Sequence, residues 1–378
     1  SQVSGLTSTQ LNSLSSAQLA ALTATQLSAM GTDAISGLTT GQVAALTITQ
    51  VRGLSSTALS GLSADQFAAL TSTQLSALTA TQIAGLTSTD AGQLTSTALA
   101  SLTATQVAAL SADGMSGLSE TQIAALAATQ LKGLTSSDVA SLADTQLAAL
   151  NATQLGALST SSVRGISATQ ISILTSTQLA GLSTAQLSAL AATQLSALAS
   201  EQLSSLSATQ LAAFTTTQLG ALSSSAISGL SATQTSALTT TQLRSLSSTA
   251  ISGLSAEQFA ALTATQLAAL TTTQISGLTS TDVSQLTADE LAAFSSTQIA
   301  ALSASSARGL SADLLYAMTN SQLSGLTATL AASLATTQLA ALGSSQIGAL
   351  STSAIAGLTV AQTASLSAAQ VEGLTATQ

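Results

Sequence analysis

Few side chains of this 378-residue chain could carry out chemistry, and none stands in a catalytic pattern. There is no His and no Cys, which removes imidazole triads, disulfides and the usual zinc ligands. Ser is abundant, yet none sits in a Gly-x-Ser-x-Gly nucleophile elbow. Acidic residues occur singly except Asp289-Glu290, whose side chains diverge on one short helix. Paired carboxylates for acid–base catalysis and the alternating Asp of a calcium loop are therefore missing. No catalytic, cofactor-binding or metal-ligating residue is expected, and the chain does not read as an enzyme. Tyr316, the only Tyr, breaks the local pattern beside Leu314 and Leu315 and reads as a substituted core or rim position.

The polar chemistry that does recur is local hydrogen bonding. In Leu78-Thr79-Ala80-Thr81-Gln82-Ile83-Ala84-Gly85, Thr79 is placed as a helix N-cap with Gln82 at the third helical position, N3. The Thr hydroxyl can accept from the N3 amide while the Gln side chain reaches back to the cap amide, a capping box. Leu78 and Ile83 flank the turn as a hydrophobic staple. Rows of such Thr hydroxyls are also what an ice-binding face needs. Here, however, the cap Thr is committed to backbone, and the second helical position varies among Thr, Ala, Asp, Ser and Glu.

This octad runs from end to end without a slip. A large apolar anchor recurs every eight residues from Leu6 to Leu374, 47 in all, each Leu, Ile, Met or Phe. A helix-start signal every eight residues leaves each helix about one and a half turns. Helices that short are unstable alone and must be held by neighbouring octads, the logic of a solenoid. The residue before each anchor is usually Ala, Gly or Ser, as in Ala77, Gly85 and Ser101. A small side chain there lets successive helices approach, and Gly is expected to ease the helix exit. The expected fold is thus an all-α superhelix with one short helix per octad. A β-solenoid is the alternative, because Thr-x-Thr runs favour strands. Apolar spacings of five and three put those residues on opposite faces of a strand, and Ala, Leu and Gln favour helix.

Composition fits one continuous repeat over 1–378, with no linker or charge block to mark a boundary. Pro is absent, as expected where helix amides are all needed. Ser, Thr or Gln interrupts every octad, so no apolar run spans a bilayer, and membrane insertion is not expected. Five basic against 14 acidic residues give a net charge of −9, which disfavours nucleic acid as a partner. Ser1 falls in mid-octad, so the chain reads as a segment of something longer.

Fifteen octads lack Gln at N3, at steps of mostly three or four octads. The segment from Val51 recurs from Leu243, 192 residues or 24 octads later. If 24 octads make seven turns, each turn holds about 3.4 octads, and the atypical octads line up along the superhelix. That stripe is the candidate interaction surface: Ala34, Ala58, Asp90, Gly114, Asp138, Ser162, Ala226, Ala250, Asp282, Ser306, Leu330 and Ala354, with Arg52, Lys132, Arg164 and Arg244 beside it. Duplication history alone is the alternative origin of the spacing.

The run L-[ST]-x-x-Q-[LIV]-x-[AG], as in Leu70-Thr71-Ser72-Thr73-Gln74-Leu75-Ser76-Ala77, resembles octad repeats in very large bacterial secreted or surface proteins, labelled adhesin-like or haem-utilisation-like. The resemblance covers the whole chain and implies an extracellular or cell-surface location and a structural or adhesive role. The expected function is a filament, sheath or surface layer built from copies of the chain. A passive spacer in a giant adhesin and a surface-binding solenoid are the alternatives.

Overall fold

The computed structural model describes residues 2–378, and every regular element in them is helical. There are 45 α-helices of four to six residues and two 3₁₀ segments, Gln2–Gly5 and Ser162–Gly165, with no strand among the described residues. The helix-per-octad solenoid is the fold, and the β-solenoid is not. The chain groups into two compact units, residues 1–194 and 195–378.

Each helix starts as the octad dictates. Thr79 is extended (φ −76°, ψ 157°) and caps Ala80–Ala84. The Gln82 amide donates to Thr79 Oγ1 at 3.3 Å, and the Thr79 amide donates to Gln82 Oε1 at 2.8 Å. Where the cap carries no hydroxyl, the second half of the box survives: Ala127 N donates to Gln130 Oε1 at 2.9 Å, and Gly343 N to Gln346 Oε1 at 3.0 Å.

The core is two apolar columns. The residue after N3 is buried in every octad from Leu11 to Ile347, and the anchor is buried in every octad from Met30 to Leu350. Within the first unit, Ala24–Ser28 packs on Ile48–Gly53, which packs on Ser72–Ser76, which packs on Ser96–Ser101, in steps of three octads.

A second set of bonds, made by the N3 Gln, joins many octads to the one four places back. The Gln82 side chain is only 3% exposed. Its Nε2 donates to Val51 O and Leu54 O, each at 2.8 Å, at the C-terminal end of the helix Ile48–Gly53. The same pair of spans, 31 and 28 residues, recurs at Gln50 and Gln106 in the first unit and at Gln274 and Gln322 in the second. One amide therefore caps its own helix start with its oxygen and another helix end with its nitrogen. Contacts three and bonds four octads away put each coil between 24 and 32 residues, which brackets about 3.4 octads per turn.

Gly does not act as a helix exit. Among the described residues none, Gly included, has positive φ, and Gly85 ends its helix at φ −87°, ψ −2°, where any residue fits. Its role is closeness, the other half of the expectation. A Cβ on Gly85 would stand 2.3 Å from Ser56 Cβ, three octads back.

Gln82→Glu is expected to be more damaging than Gln82→Ala. Ala leaves carbonyls unmet, at about 1–3 kcal/mol; Glu keeps the cap but sets a carboxylate against Val51 O and Leu54 O. Urea midpoints by circular dichroism at neutral pH test the order, and a Glu variant as stable as wild type overturns it.

Candidate interaction surface

Most of the atypical octads fall in two runs of mutual packing within each unit, with the octads of Ala98, Glu290 and Leu314 outside them. In the first, Thr32–Ile35 contacts Ser56–Ser60, and Ser88–Gly92, Ala112–Ser116, Ser136–Ala140 and the 3₁₀ turn Ser162–Gly165 contact one another in series. In the second, Ser224–Ile227 contacts Ser248–Ser252, and Ser280–Ser284, Ala304–Ala307, Ala328–Ser333 and Thr352–Ala356 form the matching series.

The N3 side chains that mark these runs do not face outward. Ala34, Ala58, Asp90, Gly114, Asp138 and Ser162 are buried, and so are Ala226, Ala250, Asp282, Ser306, Leu330 and Ala354. Their side chains line a seam between coils. At ordinary octads Gln reaches across to the carbonyl 28 residues earlier. At the seam that carbonyl is already adjacent: a Cβ on Gly114 would lie 3.1 Å from Leu86 O, and Ser162 Oγ donates to Leu134 O at 2.5 Å. At these two positions the carbonyl stands against the start of the side chain, which leaves no space for the longer Gln. Gly tightens the same seam. A Cβ on Gly117 would come within 2.0 Å of Ser88 O, and one on Gly165 within 2.0 Å of Ser136 O. Leu330 is the large exception in the second series, and nothing in the structure explains it.

Asp keeps half of the capping function at the seam. Asp90 Oδ2 accepts from Thr87 N and Thr87 Oγ1 at 2.8 Å each, and Asp282 repeats this with Thr279. Three residues after each Asp, at the position normally held by Gly, Ala or Ser, stand Gln93 and Gln285, whose Oε1 atoms are buried without a hydrogen bond.

The basic residues named from the sequence are the part of that set which faces outward. Arg52, Lys132, Arg164 and Arg244 are all exposed. Arg164 Nε donates at 3.2 Å to Ala189 O, at the end of a helix three octads on, where a cation also meets the negative end of the dipole. Arg244 lines a shallow groove with Ala268 and Ala269 in the same relation. Thirteen of the 14 acidic residues occupy first helical turns, Glu372 being the other. Glu201 titrates below an ordinary Glu because its own backbone N–H and then Ser200 donate to it. Tyr316 is 68% exposed, a rim position, while Leu314 and Leu315 beside it are buried. Among the described residues no group of three or more acids could hold a metal, and no helix is long and apolar enough to cross a membrane.

Two features escaped the sequence reading. All seven N3 departures of the first unit recur 192 residues on, from Ala34 with Ala226 to Ser162 with Ala354, and only Leu314 is added. Six of the seven in each unit belong to the packed runs, and Ala98, like its counterpart Glu290, stands outside them. The bridging role of Gln Nε2 was also unread. Its signal is that a capping box accepts Glu as readily as Gln, whereas N3 holds 32 Gln and a single Glu, Glu290.

Gly117→Ala is expected to cost about 1–3 kcal/mol, since Ser88 backbone must move. Gly41→Ala, where nothing stands closer than 4.0 Å, is expected to be neutral or to gain up to about 1 kcal/mol. The denaturation midpoint should fall for Gly117→Ala and hold or rise for Gly41→Ala; equal shifts remove the seam as a close contact.

Comparison with known families matches the ALTTAQ repeat to residues 16–48, 48–80, 147–184 and 240–272. A search of curated proteins gives no match. The chain is a tandem short-repeat protein, similar over those four stretches to ALTTAQ repeats.

Proposed function

We propose that this chain is a structural protein whose solenoid packs laterally on copies of itself in an extracellular filament, sheath or surface layer. The observation that carries the reading is how the polar groups divide. The long polar side chains, the N3 Gln, are spent inside the fold on caps and coil-to-coil bonds, as Gln82 and Gln274 are. The outside is left to Ser, Thr and Ala at eight-residue intervals. Short side chains lose little rotamer freedom when a second surface covers them, so a regular face of this kind packs at low entropic cost. Support for the location comes from the resemblance to large bacterial secreted and surface proteins.

An ice-binding face needs free hydroxyl rows, and the cap hydroxyls are engaged. Thr79 Oγ1 accepts from Gln82 N and donates to Gln82 Oε1, and Thr271 does the same with Gln274.

Electron microscopy and light scattering of the purified chain over a concentration series test the proposal. Assemblies of many chains, growing with concentration and showing a lateral repeat, are expected. Chains that stay single up to millimolar concentration overturn it in favour of a passive spacer.

A further inference from the structure

Basic and acidic residues are few, and their spacing along the coil is not random. In the first unit Arg52 lies two octads after Asp33 and two before Asp65. Lys132 lies two octads after Asp113 and two before Asp144, and Arg164 lies two after Asp144. All seven side chains are exposed. With about 3.4 octads per coil, two octads are slightly more than half a turn, so each cation stands nearly opposite its flanking anions. Lys132 and Arg164 are four octads apart, and Arg52 and Lys132 ten, close to one and to three whole turns. The cations therefore share one side. Asp65 and Glu120, seven octads or about two turns apart, share the other. In the second unit Arg244 and Glu257 repeat the relation of Arg52 and Asp65 at the 192-residue offset, and Arg308 departs from it, one octad before Asp313.

We infer that the first unit carries a basic row and an acidic row on opposite sides, and that the basic row of one copy docks on the acidic row of the next. The inference rests on the self-packing reading above and specifies which faces meet. The partner is a second copy because one molecule bears both halves of a complementary pair. A contact between unlike faces leaves one row free at each edge and so propagates, unlike a two-fold contact, which closes. The net charge of −9 opposes approach in other orientations, which gives the few cations of the row a large say in register.

The test uses the full chain and two variants. One carries Arg52→Glu, Lys132→Glu and Arg244→Glu, sparing Arg164 because it bonds Ala189 O. The other carries Asp65→Lys, Asp144→Lys and Glu257→Lys, all exposed positions. Circular dichroism first confirms that both fold. Sedimentation velocity then reads association from about 20 mM to 0.5 M salt, a range over which the screening length falls several-fold. Wild type is expected to weaken by at least about tenfold in apparent Kd across that range. Each variant alone should stay unassembled, and an equimolar mixture should co-assemble. Wild-type assembly indifferent to salt, with both variants assembling as well as wild type, overturns the charge-row docking and leaves self-packing standing. A wild-type chain that never associates overturns both.

Discussion

The structure depends on a buried primary amide that serves two helices at once. An eight-residue segment holds too few intrahelical bonds to repay its nucleation, and both of its ends carry unmet backbone groups. Gln82 deals with both problems from one side chain, accepting from Thr79 N and donating to Val51 O and Leu54 O. The helix is thereby started and tied to the coil beneath. Apolar burial supplies the bulk of the driving force, but it is non-directional. It is the amide that selects which carbonyl, and so which octad, lies opposite. The same requirement accounts for the missing Pro, because a ring in place of a cap amide would remove the donor that Gln Oε1 receives.

Much of this was legible in the residues. The eight-residue period, the Ser/Thr cap and the N3 Gln identify helix starts, and both apolar columns follow from the staple positions Leu78 and Ile83. Coil size was legible from the spacing of irregular octads, because that spacing is imposed by the structure. What the irregularity meant was not legible. A small residue at N3 looks like a gap in a surface pattern, whereas Gly114 and Ser162 are small because a carbonyl lies against them. Gly misled in a similar way. Its reputation at helix ends rests on positive φ, and none of the described residues has one; at positions such as Gly85, Gly117 and Gly165 it is close approach that favours Gly. The donor half of Gln was hidden because a carbonyl 28 residues away leaves no mark in an eight-residue motif.

The seam and the exterior follow different rules. Along the seam each substitution is judged against backbone a few ångströms away, so identity is narrow: Ala, Gly, Ser or Asp in most octads, with Gly at the tightest approaches. Outside, Ser, Thr and Ala exchange freely within helix propensity and capping. Charge is the scarce commodity there, with 19 ionisable acids and bases in 378 residues. Where it appears, its phase on the coil carries more information than its number.

The reach of the coil-to-coil bonds has a mechanical consequence. Every such bond spans about one coil, between 25 and 31 residues, and the chain has no Cys with which to cross-link distant coils. Tension applied along such a chain meets a series of near-identical latches, each loaded after the previous one opens. A coil that lets go frees about 27 residues, on the order of 90 Å of extended chain, while coils farther than one bond-length away keep every contact. Stretching is then expected to proceed coil by coil, as a spool unwinds, rather than as the single failure of a rigid strut.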